Sequence, residues 1–232
     1  MKHQFSHSKI ASKAAVVVAL GFIAATSAQA DIVPSGGATS PIDLKYTGSV
    51  FGFETFTIAT EANRQVSAGS LQLATANPVG TFSTYCVELT QTTSGDFKTY
   101  NLTNFSTAVG NSLAHLYQVA GGSPTNQANS AAFQAAVWEI VYETNSGYGL
   151  GSGSFQGSFA SNSITTQAND WLTAVNTFQG STLYSAQKYV NDRHQDYLVI
   201  TSVPEPESYA LLLAGLGLIG TIARRRSQKK TA

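Results

Sequence analysis

The sequence predicts an α+β domain, a mostly antiparallel β-sheet with about three helices inserted in the middle, flanked by an N-terminal export signal and a C-terminal membrane segment. Three observations carry this prediction. Runs rich in aromatic and β-branched residues open and close the body, 3.6-residue apolar periods fill its centre, and uncharged stretches mark both ends of the 232 residues.

At the N-terminus, Lys2, Lys9 and Lys13 precede an apolar run from Ala14 to Thr26. Ala28 and Ala30 then supply the small side chains that a signal peptidase accepts, so residues 1–30 read as a signal peptide cut after Ala30. Residues 31–202 form the exported body, long enough for one domain with its own core.

Within the body, Leu44 to Ala59 reads as strand, rich in aromatics with glycines between. Val79 to Leu89 follows, with Tyr85, Val87 and Leu89 on one face and Cys86 and Glu88 on the other. Phe97 to Leu102 is a third strand, and Ala62-Asn63, Asn77-Pro78 and Ser94-Gly95-Asp96 mark loops. The period then changes. Val109, Leu113, Leu116 and Tyr117 predict a helix stopped by Gly121-Gly122. Phe133, Val137, Ile140 and Val141 predict a second over residues 130–143, and Ala168, Trp171, Leu172, Val175 and Phe178 a third over residues 166–178. Residues 146–163, nearly all Gly, Ser, Asn and aromatic, are expected to form a flexible surface loop. Strands return over residues 188–201, with Tyr197 to Ile200 buried.

Charge narrows the function classes. The whole chain is neutral, yet the body holds eleven acidic and five basic residues, a net of −6 that argues against nucleic acid as partner. His115 and His194 with one cysteine make no metal-ligand spacing, no cofactor is called for, and no G-x-S-x-G supports a hydrolase. The body is therefore expected not to be an enzyme.

The tail begins Val203-Pro204-Glu205-Pro206, continues with an uncharged run over residues 209–223, and ends with Arg224, Arg225, Arg226, Lys229 and Lys230. Fifteen residues of helix span about 22 Å, short of a hydrocarbon core of about 30 Å. The arginines that follow belong on the cytoplasmic side, and their stems reach the interface. Gly215-Leu216-Gly217-Leu218-Ile219-Gly220 spells G-x-G-x-x-G, but without the following helix and acidic residue of a dinucleotide site. This order of elements resembles the PEP-CTERM sorting signal. The resemblance implies export, an inner-membrane intermediate with a periplasmic body, cleavage by an exosortase, and a final place on the cell surface or in an extracellular exopolysaccharide matrix.

A single cysteine in an exported body leaves three readings open: a buried structural thiol, an intermolecular disulfide, or a reactive group. Tyr85-Cys86-Val87-Glu88 on a strand, followed by Phe133-Gln134-Ala135-Ala136-Val137-Trp138-Glu139 on a helix, resembles the signatures of bacterial thioester domains over residues 82–178. That likeness implies an internal thioester between Cys86 and Gln134, with Trp138 packing beneath. Glu88 or Glu139 would be a proton shuttle, or else a solvated surface acid. The polar residue usual before the glutamine is here Phe133. The implied protein is a covalent adhesin for an amine-bearing partner. The competing expectation is a non-covalent glycan-binding, matrix-binding or structural protein with a buried free cysteine, using exposed aromatics between Tyr148 and Phe159.

Overall fold

The computed structural model describes residues 32–145, 147–203 and 213–219. The signal peptide with Ala28 and Ala30 lies outside these, as do Pro204, Glu205, Pro206 and the arginine triplet. Most of the expected membrane segment is also outside. Residues 213–219 are helical, with Leu213, Leu216, Leu218 and Ile219 exposed. Among the described residues, no helix is long and apolar enough to cross a membrane.

The body is α+β, as expected, and every pairing between its strands is antiparallel among the described residues. The chain order is β1 (Ile42–Ser49), β2 (Glu54–Ile58), β3 (Arg64–Ala68), β4 (Leu71–Thr75), β5 (Gly80–Thr84), β6 (Lys98–Asn104), α1 (Thr107–Val119), α2 (Gln127–Tyr142), β7 (Gly157–Phe159), α3 (Asn162–Asn176), β8 (Tyr184–Val190) and β9 (Tyr197–Ser202). Six strands form one sheet in the order β5-β4-β1-β6-β8-β9, and three form another, β3-β2-β7.

The large sheet closes on itself. Beyond β5 the chain stays extended, and the Leu198 N–H donates to the Tyr85 carbonyl at 3.0 Å while the Val87 N–H donates to the Asp196 carbonyl at 3.0 Å. Cys86 and Tyr197 face each other across this junction. One core sits within the closed sheet, with Leu44, Leu73, Phe82, Tyr100, Tyr189, Tyr197 and Val199 contributed by all six strands. A larger core lies outside it, where α1, α2, α3 and the small sheet pack over Tyr85, Val87, Leu198 and Ile200. Strand β9 thus sends alternate residues to different cores, which is why Tyr197 to Ile200 are buried without a break.

The predicted strand over residues 44–59 divides into β1 and β2, which belong to different sheets. The chain turns between them at Gly52, whose φ of +92° suits glycine. Strands β3 and β4 were not predicted, because each buries only part of itself and reads as weakly polar sequence. The three helices fall where the periodicity placed them, α1 starting two residues before Val109, α2 three residues and α3 four residues earlier than predicted. Asn126 caps α2 by accepting the Asn129 N–H at 2.9 Å.

The expectation of a flexible loop over residues 146–163 is corrected. Its far part is β7 and the start of α3, and the stretch before them is tied down by side chains of α2 and α3. The Glu143 carboxylate accepts N–H groups of Asn145 at 2.6 Å and Ser154 at 2.8 Å. Asn169 Oδ1 accepts from Leu150 at 2.9 Å, and Asn176 Oδ1 from Tyr148 at 2.9 Å. Composition pointed to flexibility, but it cannot register partners supplied from elsewhere in the chain. Phe155 and Phe159 are buried, stacked or tilted against Phe56, so the exposed aromatic platform expected there is absent.

Phe56 is the hub of that region. Its ring centroid lies 6.1 Å from Trp138, 6.1 Å from Phe155 and 4.9 Å from Phe159. Gly157 lets β7 approach closely, since a Cβ there would stand 2.3 Å from the Phe56 ring. Phe56→Ala should cost about 3–5 kcal/mol, measured as a lower urea midpoint with an unchanged slope.

Candidate functional site

A β-strand alternates the direction of its backbone groups, so in an antiparallel pair every second residue turns its N–H and C=O away from the partner strand. The Tyr85 carbonyl accepts from Leu198 of β9, and the Val87 N–H donates to Asp196 just before it. The N–H and C=O of Cys86 point the other way, toward α2. There the Gln134 carboxamide takes both: the Cys86 N–H donates to Gln134 Oε1 at 2.9 Å, and Gln134 Nε2 donates to the Cys86 carbonyl at 2.8 Å. One side chain thus fills the place of a missing strand, 48 residues away in sequence. Farther along, the Leu89 N–H donates to the Tyr142 hydroxyl at 2.9 Å, and Arg64 Nη1 donates to the Leu89 carbonyl at 2.9 Å. The segment from Cys86 to Leu89 is therefore clamped against α2 at both ends.

Helix α2 is buried all round from Ser130 to Ile140, which puts polar Gln134 in the interior, where an unpaired amide would cost about 1–3 kcal/mol. The sequence placed Gln134 beside the apolar stripe, close to the sheet. The structure brings it onto the cysteine. Phe133, its neighbour, packs its ring 4.7 Å from Tyr85, so the 85–86 dipeptide meets the 133–134 dipeptide residue for residue.

Cys86 is half-buried and free, and it touches both cores. Burial pushes its thiol up to about 12, so the thiolate is scarce at neutral pH. Two residues on, Glu88 is half-buried, and its Oε2 is closed to water without a donor. Burial raises its carboxyl, the Asp196 carboxylate adds to this, and Lys188 with the Asp196 N–H partly offsets both.

The other two supporting residues take different places. Trp138 is buried one turn beyond Gln134, its ring against Phe56 and its Nε1 without a partner among the described residues. Glu139 does not join the pair. It is fully buried, and its Oε1 accepts the Gly149 N–H at 2.8 Å while Oε2 meets no donor. Burial pushes its carboxyl up to about 7, against the pull of that N–H and with the help of Glu143. Five positions from Gln134 on a helix lies well round the cylinder, which is why the two side chains part. Asp196 and Lys188, paired at 3.0 Å beside Glu88, were not singled out in the sequence. They are 110 and 102 residues from Cys86, and only the closure of the sheet brings them near.

The other end of the body carries a second signal. Strand β9 ends at Ser202, and Val203 is exposed although its N–H still donates to the Leu183 carbonyl at 2.8 Å. Residues 202–227 match the PEP-CTERM protein-sorting motif. The chain carries a PEP-CTERM sorting signal. It is thus an exported protein, processed by an exosortase at the membrane and delivered to the cell surface. The motif begins where the last strand of the closed sheet ends, so the folded body runs into the sorting signal without a linker. Comparison with curated proteins and with solved structures returns no match.

Glu139 gives a pH test. Its carboxyl titrates at about 7 in the fold against 4.5 ordinarily, so the folded state holds the proton more tightly. The stability it confers is complete below pH 4.5 and is lost as pH rises to about 7. Relative to Glu139→Gln, which keeps an acceptor for Gly149, the parent protein should lose about 2–3 kcal/mol across that window, read from urea titrations at its two ends.

Proposed function

We propose that the exported body is a covalent adhesin, in which Cys86 and Gln134 condense to an internal thioester that couples once to an amine on a partner. The observation that carries this reading is the pair of hydrogen bonds between the Gln134 carboxamide and the backbone of Cys86. They hold the amide carbon beside the residue whose sulfur would attack it, and such fixed proximity supplies much of the barrier reduction.

The donors also suit the chemistry. As the Cys86 sulfur adds to Gln134 Cδ, negative charge develops on Oε1, which already accepts the Cys86 N–H at 2.9 Å. The C–N bond then breaks, and Nε2 leaves as ammonia, taking the thiol proton. A thiol that titrates at about 12 ionises too rarely to react as a free thiolate, so transfer of its proton to the departing nitrogen belongs to the same step. In coupling, the amine nitrogen bonds to Cδ, the C–S bond breaks, and Cys86 returns to a thiol. Each molecule reacts once, so the protein is not an enzyme in this reading. An amine-bearing surface partner or a matrix component would be its target.

One observation favours a second reading. The same two hydrogen bonds satisfy backbone groups that would otherwise be buried and unpaired, so Gln134 can serve the fold alone. The protein would then be a non-covalent glycan-binding, matrix-binding or structural surface protein with a buried free cysteine. Its binding face would be the groove of about 530 Å³ lined by Asn104, Phe105, Asn111, Thr182 and Tyr184, not the buried aromatics after Tyr148.

Mass separates the two. The intact mature body should be about 17 Da light through loss of ammonia, and Cys86→Ala should restore the full mass. A full-mass body whose Cys86 is alkylated once unfolded would leave the binding-module reading. For delivery, replacing Pro204, Glu205 and Pro206 with alanine should leave a longer form in the inner membrane with its body in the periplasm, detected by fractionation and mass.

A further inference from the structure

Both ends of the described body leave it on one side. Ile32 pairs antiparallel with Ile200, and the Ile200 N–H donates to the Ile32 carbonyl at 3.1 Å, so the chain before Ile32 departs in the direction that β9 takes toward Ser202. There is no slack at that edge, because the Val203 N–H still donates to the Leu183 carbonyl at 2.8 Å. Five residues, 204–208, separate Val203 from the uncharged run that starts at Tyr209. Fully extended they reach about 17 Å, well under the diameter of about 40 Å expected for a domain of this length. The groove of about 530 Å³ opens at this edge, with Val203 in its wall beside Phe105, Thr107, Asn111 and Ser185. Leu183 and Val203 are exposed there. The stretches that line the groove are uncharged, since no Lys, Arg, Asp or Glu occurs between Lys98 and Glu139, between Asp170 and Lys188, or between Asp196 and Val203. Asp192, Arg193 and Asp196 instead gather ahead of Tyr197, at the start of a strand about 17 Å long that ends at Ser202.

We propose that this uncharged edge rests on the lipid surface of the inner membrane until the exosortase cuts the tail, so that the bilayer covers the groove and cleavage opens it. This rests on the sorting motif and on neither reading of Cys86. The short tether is the first reason, because it leaves the edge that carries Val203 no room to turn away from the surface that holds the run after it. The chemistry of the edge is the second. Hydroxyl, amide and aromatic groups exchange water for lipid headgroups at little cost, whereas an ion taken from water is penalised. The net charge of −6 on the body makes the choice of edge matter, since an anionic leaflet repels acidic side chains. The charged end of β9 then points away from the lipid, and Cys86, opposite Tyr197, lies at that far end. A ligand of the groove would therefore meet only the released protein.

The test uses the tail-bearing chain in vesicles of phosphatidylethanolamine and phosphatidylglycerol that contain no exosortase. A membrane-impermeant maleimide reads single cysteines, Ser185→Cys on the groove and Asp192→Cys at the far end, each combined with Cys86→Ala. A second form carries about fifteen Ser and Gly residues inserted after Val203, which add about 21 Å of reach. With lipid on the groove, Ser185→Cys should label about fivefold faster or more in the form with the insertion, while Asp192→Cys labels alike in both. Equal rates at Ser185→Cys in the two forms, whether both fast or both slow, overturn the proposal. Protection seen in cells and not in these vesicles also overturns it and gives the edge to the exosortase. If a cysteine variant does not fold, hydroxyl-radical oxidation of the otherwise native chain decides. Leu183 and Phe105 should then oxidise faster with the insertion than without it, and unchanged yields sink the lipid contact.

Discussion

The structure depends on how the backbone of one residue, Cys86, is satisfied. It lies where the six-stranded sheet closes, with β9 on one side and, among the described residues, no strand on the other. Buried N–H and C=O groups must find partners, and the carboxamide of Gln134 is the side chain that presents one donor and one acceptor at peptide-like spacing. Its two bonds tie α2 to the closed sheet at one point, and Tyr142 ties it again at Leu89. The helix is held in register with the strand it covers, and Phe133 meets Tyr85 as a consequence.

That clamp makes α2 a polar liability as well as a core element. A helix buried on every side has no solvent face for Gln134 or Glu139, so each must be satisfied inside. Gln134 finds a partner for both its oxygen and its nitrogen. Glu139 does so by half, with one oxygen on the Gly149 N–H and the other bare, and its carboxyl is driven toward the neutral form. The difference separates a structural acid that anchors the 147–156 stretch from Glu88, which lies beside the Lys188–Asp196 pair. Two acids that look alike in sequence thus have different surroundings and different chemistry.

The body and its tail meet at β9. This strand closes the sheet through Tyr197 and Leu198, completes the junction at which Cys86 sits, and then passes directly into the sorting motif at residue 202. Export places this lone, half-buried thiol in an oxidising compartment, wedged between the two cores. It also explains the low charge and the many hydroxyl and amide side chains of a surface protein.

The sequence by itself determined the parts whose signal is local. Apolar periodicity placed all three helices, alternation placed the Tyr85–Leu89 face, and the order of Pro-Glu-Pro, apolar run and arginines marked the sorting signal. It also paired Cys86 with Gln134 as residue types worth joining. Tertiary structure alone decided what depends on distant partners. Whether residues 147–156 are tied down depended on Glu139, Glu143, Asn169 and Asn176, and whether Leu44 to Ala59 is one strand depended on there being two sheets to share it. The Lys188–Asp196 pair beside Glu88 was invisible for the same reason. A charge or an amide in sequence carries its chemistry with it, but its partner, and so its energy, is fixed only when the chain closes.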